Sequence, residues 1–316
     1  MRVLVTGGAG FIGSALVDQL VKRGDQVLVI DNFSTGSEKN LMEARKVPEV
    51  DLTVEKCDIR EAETTKLIVD YEPSVIFHLG AQVDVRASVD NPLNDAETNI
   101  VGMLRVLEGA RNARTEKLIF ASSGGTIYGE PDSTKLPLNE NNPWNPLSPY
   151  GVSKLAGGLY LETYTYLYGL KGTILALSNV YGPRQDPHGE AGVVAIFAGK
   201  LLNGDPCMIY GPGHQTRDFV YVEDVASAFI ASIEHGDGQL LNIGTGIETS
   251  IEDLYKEMAS ALGVESKPEK VEERQGELER SSLDPSLAQS ALGWKPATNL
   301  KEGVNSTLEW FRSIRE

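Results

Sequence analysis

Short apolar runs alternate with amphipathic segments along residues 1–180. Six of these runs predict buried strands, at residues 1–6, 26–31, 52–57, 74–78, 117–121 and 173–177. Between them, apolar residues recur at helical spacing, and those of the first segment share one face: Phe11, Ile12, Ala15, Leu16 and Leu20. This alternation predicts an α/β fold, a Rossmann-type doubly wound parallel sheet with helices on both sides.

The alternation breaks into mixed short elements after Gly182-Pro183-Arg184. Two later runs, at residues 219–222 and 240–243, are typical of strands that could rejoin the main sheet. We therefore predict a main domain over residues 1–180, rejoined by segments near 217–245, and a smaller C-terminal substrate-binding lobe over residues 181–316.

Composition narrows the classes of partner. The chain has 316 residues, with 29 lysines and arginines against 45 aspartates and glutamates, a net charge of −16. So acidic a protein is not expected to bind nucleic acid or an anionic membrane surface. Its two cysteines lack metal-binding spacing, so we expect reduced thiols and no metal. No apolar run has membrane-spanning length and the first predicted strand begins at residue 1, so we expect a cytoplasmic protein without a signal peptide.

A glycine-rich turn joins the first predicted strand to the first helix. Its glycines have the spacing GxxGxxG: Gly7, Gly10 and Gly13. In this position they permit a tight turn, close approach of backbone to a pyrophosphate, and packing of helix on strand. Asp31 ends the second strand, where its carboxylate would accept the adenosine ribose hydroxyls, and residues 32–36 contain no Lys or Arg for a 2′-phosphate. NAD is therefore the predicted cofactor, with Asp58 either at the adenine or as a helix N-cap.

Tyr150 and Lys154 stand four residues apart and share one helical face. A free tyrosine has a pKa of about 10, and we expect the lysine and a positive nicotinamide to lower it. The phenolate could then act as a base in hydride transfer. The alternative is an accidental pair on an amphipathic helix, on which Tyr160, Tyr164 and Tyr168 continue the spacing as packing or dimer residues.

A hydroxyl after the fifth predicted strand would complete such a site. The loop at residues 121–129 offers Ser122, Ser123 and Thr126. This group would hydrogen-bond the reacting sugar hydroxyl and help to pass its proton to Tyr150.

These motifs resemble those of the extended short-chain dehydrogenase/reductases and, among them, the UDP-glucose 4-epimerases. The matching segments are residues 6–13, 31–32, 58–59, 78–82, 99, 150–154, 179–184, 217–219 and 276–278. The resemblance implies that NAD is lined by Phe11, Ile12, Asp31, Asn32, Asp58, Ile59, Leu79, Ala81, Asn99, Ser122, Tyr150, Lys154 and Val180. It also implies a nucleotide-sugar site whose arginines grip the pyrophosphate, made of Asn179, Val193, Arg217 and Arg274.

One departure from the family pattern affects the catalytic hydroxyl. Many members have serine where this chain has Gly124, so we predict Thr126 as the hydroxyl, with Ser122 or Ser123 as alternatives. Ser281 stands where the family gates sugar size, and a small side chain there leaves room for an N-acetyl group.

The resemblance therefore implies an NAD-dependent nucleotide-sugar 4-epimerase of galactose metabolism. Its substrates would be UDP-glucose and UDP-galactose, and also their N-acetylated counterparts. A homodimer is implied through residues 92–110 and 150–168, where this family pairs. The enzymatic alternative is a 4,6-dehydratase or decarboxylase, which needs a carboxylate where Gly125-Thr126 stands. The other alternative is a non-catalytic NAD-sensing protein, which needs no Tyr150–Lys154 pair.

Overall fold

The computed structural model describes residues 1–187, 192–265, 267–272 and 278–315. Its strands are β1 (Arg2–Thr6), β2 (Gln26–Asp31), β3 (Asp51–Lys56), β4 (Val75–His78), β5 (Lys117–Ser123), β6 (Lys171–Leu177), β7 (Asn179–Tyr181), β8 (Met208–Tyr210), β9 (Thr216–Arg217), β10 (Phe219–Tyr221), β11 (Gln239–Ile243), β12 (Thr249–Ser250) and β13 (Glu269–Val271). Its α-helices are α1 (Phe11–Lys22), α2 (Ala62–Tyr71), α3 (Val85–Asp90), α4 (Pro92–Ala96), α5 (Gly102–Ala113), α6 (Gly124–Ile127), α7 (Pro149–Tyr168), α8 (Val193–Asn203), α9 (Val222–Ala231), α10 (Ile251–Leu262), α11 (Ser286–Leu292) and α12 (Leu300–Ser313). A π-helical turn, Glu97–Val101, joins α4 to α5.

Seven parallel strands form the main sheet, in the order β11-β6-β5-β4-β1-β2-β3. The strand order reverses at β1, which lies between β2 and β4, and such a switch point opens a crevice at the carboxyl ends of the strands. Thr6, the last residue of β1, is in register with both Ile30 and His78. The loops that follow these three strands therefore meet at one edge of the sheet. The predicted fold class is confirmed.

All six strands predicted for the first 180 residues are present, with bounds that differ by no more than a few residues. The run at 240–243 is also a sheet strand, because β11 pairs with β6 at the sheet edge. The prediction for 219–222 was wrong in its pairing. Helix α9 already begins at Val222, and the short β10 pairs with β7 in a separate two-stranded sheet. The division near residue 180 stays a prediction.

Separate apolar clusters cover the two faces of the main sheet and fill the C-terminal lobe. On one face, α1 and α9 contribute Leu16, Leu20, Val225 and Phe229. On the other face, α2, α5 and α7 contribute Ile68, Val106, Leu107 and Leu161. A third cluster joins α8, α10 and α12 through Phe197, Leu254, Met258 and Phe311. Across the described ranges, no helix combines the length and the apolar character needed to span a bilayer.

Candidate active site

The glycine loop has no space for side chains at its first and third glycines. Gly7 has φ +70°, and a Cβ there would lie 2.7 Å from the Gly80 nitrogen in the loop after β4. A Cβ at Gly13 would lie 2.1 Å from the Gly7 carbonyl oxygen. Gly10 is the N-cap of α1 and makes no side-chain cap, so the first amides of this helix face the crevice. These amides and the helix dipole suit an anion such as a pyrophosphate.

Two carboxylates stand at the ends of β2 and β3. Asp31 is buried and accepts the amides of Ala9 at 2.9 Å and Phe33 at 2.8 Å. Burial raises the pKa of Asp31, and these two amides oppose the rise. No described Lys or Arg contributes to this shift, so the Asp31 carboxylate can accept hydrogen bonds from the hydroxyl groups of a ribose.

Asp58 is not a helix N-cap, because α2 begins after Glu61. Its Oδ2 accepts Asn32 Nδ2 at 2.9 Å and Arg60 Nη2 at 2.8 Å, and the arginine holds the pKa of Asp58 well below its usual range. The contact with Asn32 places two residues predicted to line the cofactor together. Ile59 lies beside them, buried against the start of α5.

A hydrogen-bonded chain fixes the end of β4 against β1. The Gly80 amide donates to Thr6 Oγ1 at 3.1 Å, and this oxygen lies 2.7 Å from His78 Nδ1. Burial lowers the pKa of His78 to about 3, so the ring is neutral, and its tautomer decides which of the two atoms donates. Leu79 and Ala81, both predicted to line the cofactor, are therefore held beside the glycine loop.

Asn99 was predicted to line the cofactor, and its side chain hydrogen-bonds within the protein. Its Oδ1 accepts the Gln82 amide at 2.8 Å, and its Nδ2 donates to the Gln82 carbonyl at 2.9 Å and to Asp95 Oδ1 at 3.0 Å. It stands in the π-helical turn, an irregularity often found at functional sites. In this structure Asn99 fixes the loop that borders the crevice.

Tyr150 and Lys154 are both buried on α7, which Ser148 caps through a 3.1 Å hydrogen bond from the Gly151 amide. Lys154 Nζ donates to the Ala121 carbonyl at 3.0 Å and lies 5.8 Å from the centre of the Tyr150 ring. Burial lowers the pKa of Lys154 to about 8. Burial also raises the pKa of Tyr150, which a hydrogen bond with the Ser123 side chain opposes. The expected lowering of the Tyr150 pKa is therefore not met in the protein alone.

Two other tyrosines of α7, Tyr164 and Tyr168, contact α5, whereas Tyr166 is 88% exposed. Tyr164 donates to Glu108 of α5 at 2.5 Å and stacks edge-on against Tyr168. Arg111 lies over the Tyr168 ring at 4.6 Å, whereas Tyr160 is partly exposed.

Of the three candidate hydroxyls, the structure brings Ser123 to the tyrosine. Ser123 ends β5 and interacts with the Tyr150 phenol. Thr126, the first choice from the sequence, turns its hydroxyl back to the Ser123 carbonyl at 3.3 Å, and Ser122 is buried in the strand. A Cβ at Gly124 would lie 2.4 Å from Leu283 Cδ1, so a serine there would require the Leu283 side chain to shift.

The predicted substrate residues lie on the lobe side of the sheet. Asn179 begins β7, and its amide donates to the Asp218 carbonyl at 2.9 Å. Val193 begins α8, and Arg217 ends β9, where its Nη1 donates to the Thr216 carbonyl at 2.7 Å. Arg274, the second predicted arginine, lies outside the described residues.

Ser281 is buried in a segment that runs along the loop after α6. Leu138 donates its amide to the Ser282 carbonyl at 2.9 Å, and Leu283 covers Gly124. The predicted sugar gate is therefore tied to the loop that follows the catalytic strand.

Sequence reasoning missed two buried carboxylates. Asp95 is fully buried beside Asn99, and Asp218 is fully buried beside Arg217. Asp218 accepts the amides of Thr245, Gly246 and Leu283 at 2.9–3.2 Å, and burial raises its pKa. Asp218 lies within the matched segment 217–219 and Asp95 accepts a hydrogen bond from Asn99, so these marked positions were the signal that could have found the two aspartates.

These residues fit NAD by their chemistry. The glycine loop, whose largest side chain is that of Ala9, suits a pyrophosphate at the first turn of α1, and Asp31, whose pKa no cation lowers, suits a ribose diol rather than a ribose phosphate. Tyr150 and Lys154 lie beyond β4 and β5, where a nicotinamide on the same crevice would end. Such a fold, with a glycine loop after β1 and a Tyr–Lys pair on a helix after β5, defines a short-chain dehydrogenase/reductase.

Comparison with known proteins narrows this class. Residues 4–307 match the family described as GDP-mannose 4,6 dehydratase. Over 314 residues the chain is 48% identical to the UDP-glucose 4-epimerase of Mycolicibacterium smegmatis, with 99% of both sequences covered. The Thermotoga maritima UDP-glucose 4-epimerase, solved with UDP-glucose, superposes with a TM-score of 0.95 at 42% identity over 100% of both chains. The Thermus thermophilus enzyme, solved with NAD, gives 0.90 at 42% identity over 99% of both chains.

The chain belongs to the UDP-glucose 4-epimerase family of extended short-chain dehydrogenase/reductases. The predicted family and the prediction of an isomerase are thereby confirmed. The assignment of roles to single site residues stays a prediction.

Proposed function

We propose that this protein interconverts UDP-glucose and UDP-galactose by reversible oxidation at C4 of the hexose. Its family makes it an NAD-dependent nucleotide-sugar 4-epimerase, so the cofactor prediction is confirmed. The choice of sugar is our proposal. The observation that carries it is the group of buried Tyr150, buried Lys154 and half-buried Ser123 at the carboxyl edge of a sheet that also holds a glycine loop fit for NAD.

The side chains of the site divide the proton chemistry among them. Tyr150, as phenolate, would take the proton of the C4 hydroxyl and give it back to the opposite epimer. Ser123 would hydrogen-bond the same hydroxyl and relay its proton, since it already interacts with the phenol. Lys154 would hold the phenolate by its charge. NAD, when bound, supplies a reversible acceptor for the C4 hydride, with no net oxidation.

The substrate lobe would hold the UDP moiety so that the sugar can turn. Arg217 would grip the pyrophosphate, with Asn179 and Val193 beside the nucleotide sugar, and we propose Arg274 for the same anion. Local guanidinium contacts are needed because the net charge of −16 repels an anion. The small Ser281 supports an additional activity on UDP-N-acetylhexosamines.

A 4,6-dehydratase or decarboxylase activity is disfavoured by the loop after β5. The residues of α6 are Gly124, Gly125, Thr126 and Ile127, so this helix has no carboxylate to remove a proton from C5. The matching family is described as a dehydratase. The residues of α6 lack the carboxylate that a dehydratase needs, and this difference supports epimerisation.

We also propose a homodimer formed by α3, α4 and α7. Val89, Leu93, Val152 and Leu159 on these helices are 44–76% exposed, which is unusual for large apolar side chains grouped on neighbouring helices. A second copy of this chain would cover them. Sedimentation should give a dimer, and Leu93→Glu should give a monomer.

The proposed location is the cytoplasm. The unpaired, buried thiols of Cys57 and Cys207 fit a reducing compartment.

The test of the proposed activity is a panel of UDP-sugars analysed by product epimer. UDP-galactose should be converted to UDP-glucose in the presence of NAD without net NADH formation. Tyr150→Phe should abolish the conversion while NAD still binds. Formation of a 4-keto-6-deoxy sugar, or full activity of Tyr150→Phe, would contradict the proposal.

A further inference from the structure

Asp95 is a fully buried carboxylate at the end of α4, outside the motifs that mark the active site. Its Oδ2 accepts the hydroxyl of Ser153, which lies on α7 between the two catalytic candidates. Its Oδ1 accepts Asn99 Nδ2 at 3.0 Å and Gln82 Nε2 at 3.1 Å. Three neutral donors from three parts of the chain therefore converge on one buried acid.

The donors connect the catalytic helix to the loop that borders the cofactor crevice. Gln82 follows β4, and its main chain forms a reciprocal pair with the Asn99 side chain at 2.8 and 2.9 Å. On the other side, Ser153 is one residue before Lys154. A separate hydrogen bond, 3.2 Å from the Tyr150 amide to Ser88 Oγ, joins the start of α7 to α3. A shift of Asp95 would consequently move the loop after β4 relative to α7.

Asp95 is also the acidic group that faces the buried ammonium. Burial lowers the pKa of Lys154, and the charge of Asp95 opposes this effect. The same charge raises the pKa of Tyr150, which also faces this group from α7. From β4 the facing ring is His78, which is neutral, since burial and Lys154 lower its pKa to about 3. Among these groups, only Asp95 favours a protonated Lys154.

We propose that Asp95 is a positioning residue that holds α7 and the loop after β4 in one network and serves as the counter-charge of Lys154. This inference rests on the proposed function for its kinetic test and on NAD binding for an independent one. Asp95 acts through Ser153, Gln82 and Asn99, and through its charge on Lys154.

The decisive variant is Asp95→Asn, which removes the charge and keeps the shape. Lys154 then loses the interaction that favours its protonated form. The alkaline limb of the kcat profile should move to lower pH by about one unit. Affinity for NAD, measured by binding to NAD-depleted protein, should fall about tenfold because the hydrogen bonds from Gln82 and Asn99 lose their charged acceptor and weaken.

Three controls separate charge from packing. Ser153→Ala removes a hydrogen bond to Asp95 but keeps the charge, so kcat should fall with the alkaline limb in place. Asp95→Glu should also keep the limb in place. Asp90→Asn changes one charge on the exposed end of α3 and should leave both the rate and the limb unchanged. If the new amide facing Ser153 prevents folding, the double variant with Ser153→Ala carries the same charge change without that conflict.

An alkaline limb that stays in place in Asp95→Asn, together with unchanged NAD affinity, would overturn the proposal. A shifted limb with weakened NAD binding would support it. If the wild-type protein converts no UDP-sugar, the proposed function fails. The inference is then judged by NAD affinity alone, and equal affinity of wild type and Asp95→Asn would overturn it.

Discussion

Replacing Lys154 by methionine tests the electrostatic description of the site through stability rather than activity. Lys154 is 4% exposed, and burial lowers its pKa from 10.5 to about 8. At neutral pH the folded protein therefore carries a buried ammonium that the unfolded chain would hydrate. Methionine fills a similar volume without charge, so the substitution removes this unfavourable term.

The magnitude follows from the shift of the pKa. A change from 10.5 to about 8 is about 2.5 units, which corresponds to about 3 kcal/mol of unfolding free energy. Between pH 8 and 10.5 the unfolded lysine binds a proton that the folded lysine does not, so the stability of the wild-type protein rises with pH in this window. Lys154→Met lacks this rise. The variant also loses the hydrogen bond of Lys154 to the Ala121 carbonyl and its contact with the Phe120 ring, whose centre lies 5.0 Å from Nζ. These losses lower the stability of the variant by a separate amount.

Urea unfolding of NAD-depleted protein at pH 7 and at pH 10 measures the effect. The stability of Lys154→Met relative to wild type should be higher at pH 7 than at pH 10 by about 2–3 kcal/mol. Other titrating groups cancel in this double difference. Lys56→Met, on an exposed side chain, controls for the loss of a positive charge as such. A relative stability that does not change between the two pH values would refute the assignment of a depressed Lys154 pKa.

Three further substitutions test the geometry. Gly13→Ala places a methyl group 2.1 Å from a backbone oxygen and should abolish NAD binding or folding, as judged by NAD retention and thermal unfolding, whereas Gly199→Ala on α8 should do neither. Ser123→Ala should lower kcat by about 10²–10⁴-fold and Thr126→Val by much less, and the reverse order would restore the sequence-based choice. Arg217→Gln should raise the KM for a UDP-sugar about 10–100-fold with a smaller change in kcat, since it removes a charged contact to the pyrophosphate. An unchanged KM would exclude Arg217 from substrate binding.

Most of the main sheet could be predicted because β1, β2, β4, β5 and β6 are buried on both faces and therefore appear as continuous apolar runs, whereas the edge strand β3 is largely exposed. The edge strand β11 has the same pattern and was assigned correctly. The run at 219–222 has it too, but its last residue opens α9 and its partner is β7. Periodicity reports burial and not the partner strand, so the pairing of a three-residue strand could not be predicted.

The site was predictable where a spacing fixes the geometry. Gly13 is required by contacts within its own loop, Gly7 has a positive φ, and Tyr150 and Lys154 are brought together by one turn of one helix. The catalytic hydroxyl depends instead on how β5 ends. A Cβ at Gly124 would meet Leu283, a residue far along the chain, and the interaction of Ser123 with the Tyr150 phenol depends on how β5 meets α7. No local pattern could therefore show which of Ser123 and Thr126 lies by the phenol.

Two buried lysines show why location, rather than a perturbed pKa, identifies the functional one. Lys117 is 3% exposed, and burial lowers its pKa as it does for Lys154. Lys117 begins β5 at the amino edge of the sheet. There its Nζ donates to Asp237 at 2.5 Å and to the His235 carbonyl at 2.6 Å, which connects β5 to the segment before β11. Lys154 lies at the carboxyl edge, beside a buried tyrosine. Ligand sites of open α/β sheets form at the carboxyl edge, so position in the sheet, and not the pKa shift, supports the proposed catalytic role of Lys154 and a structural role for Lys117.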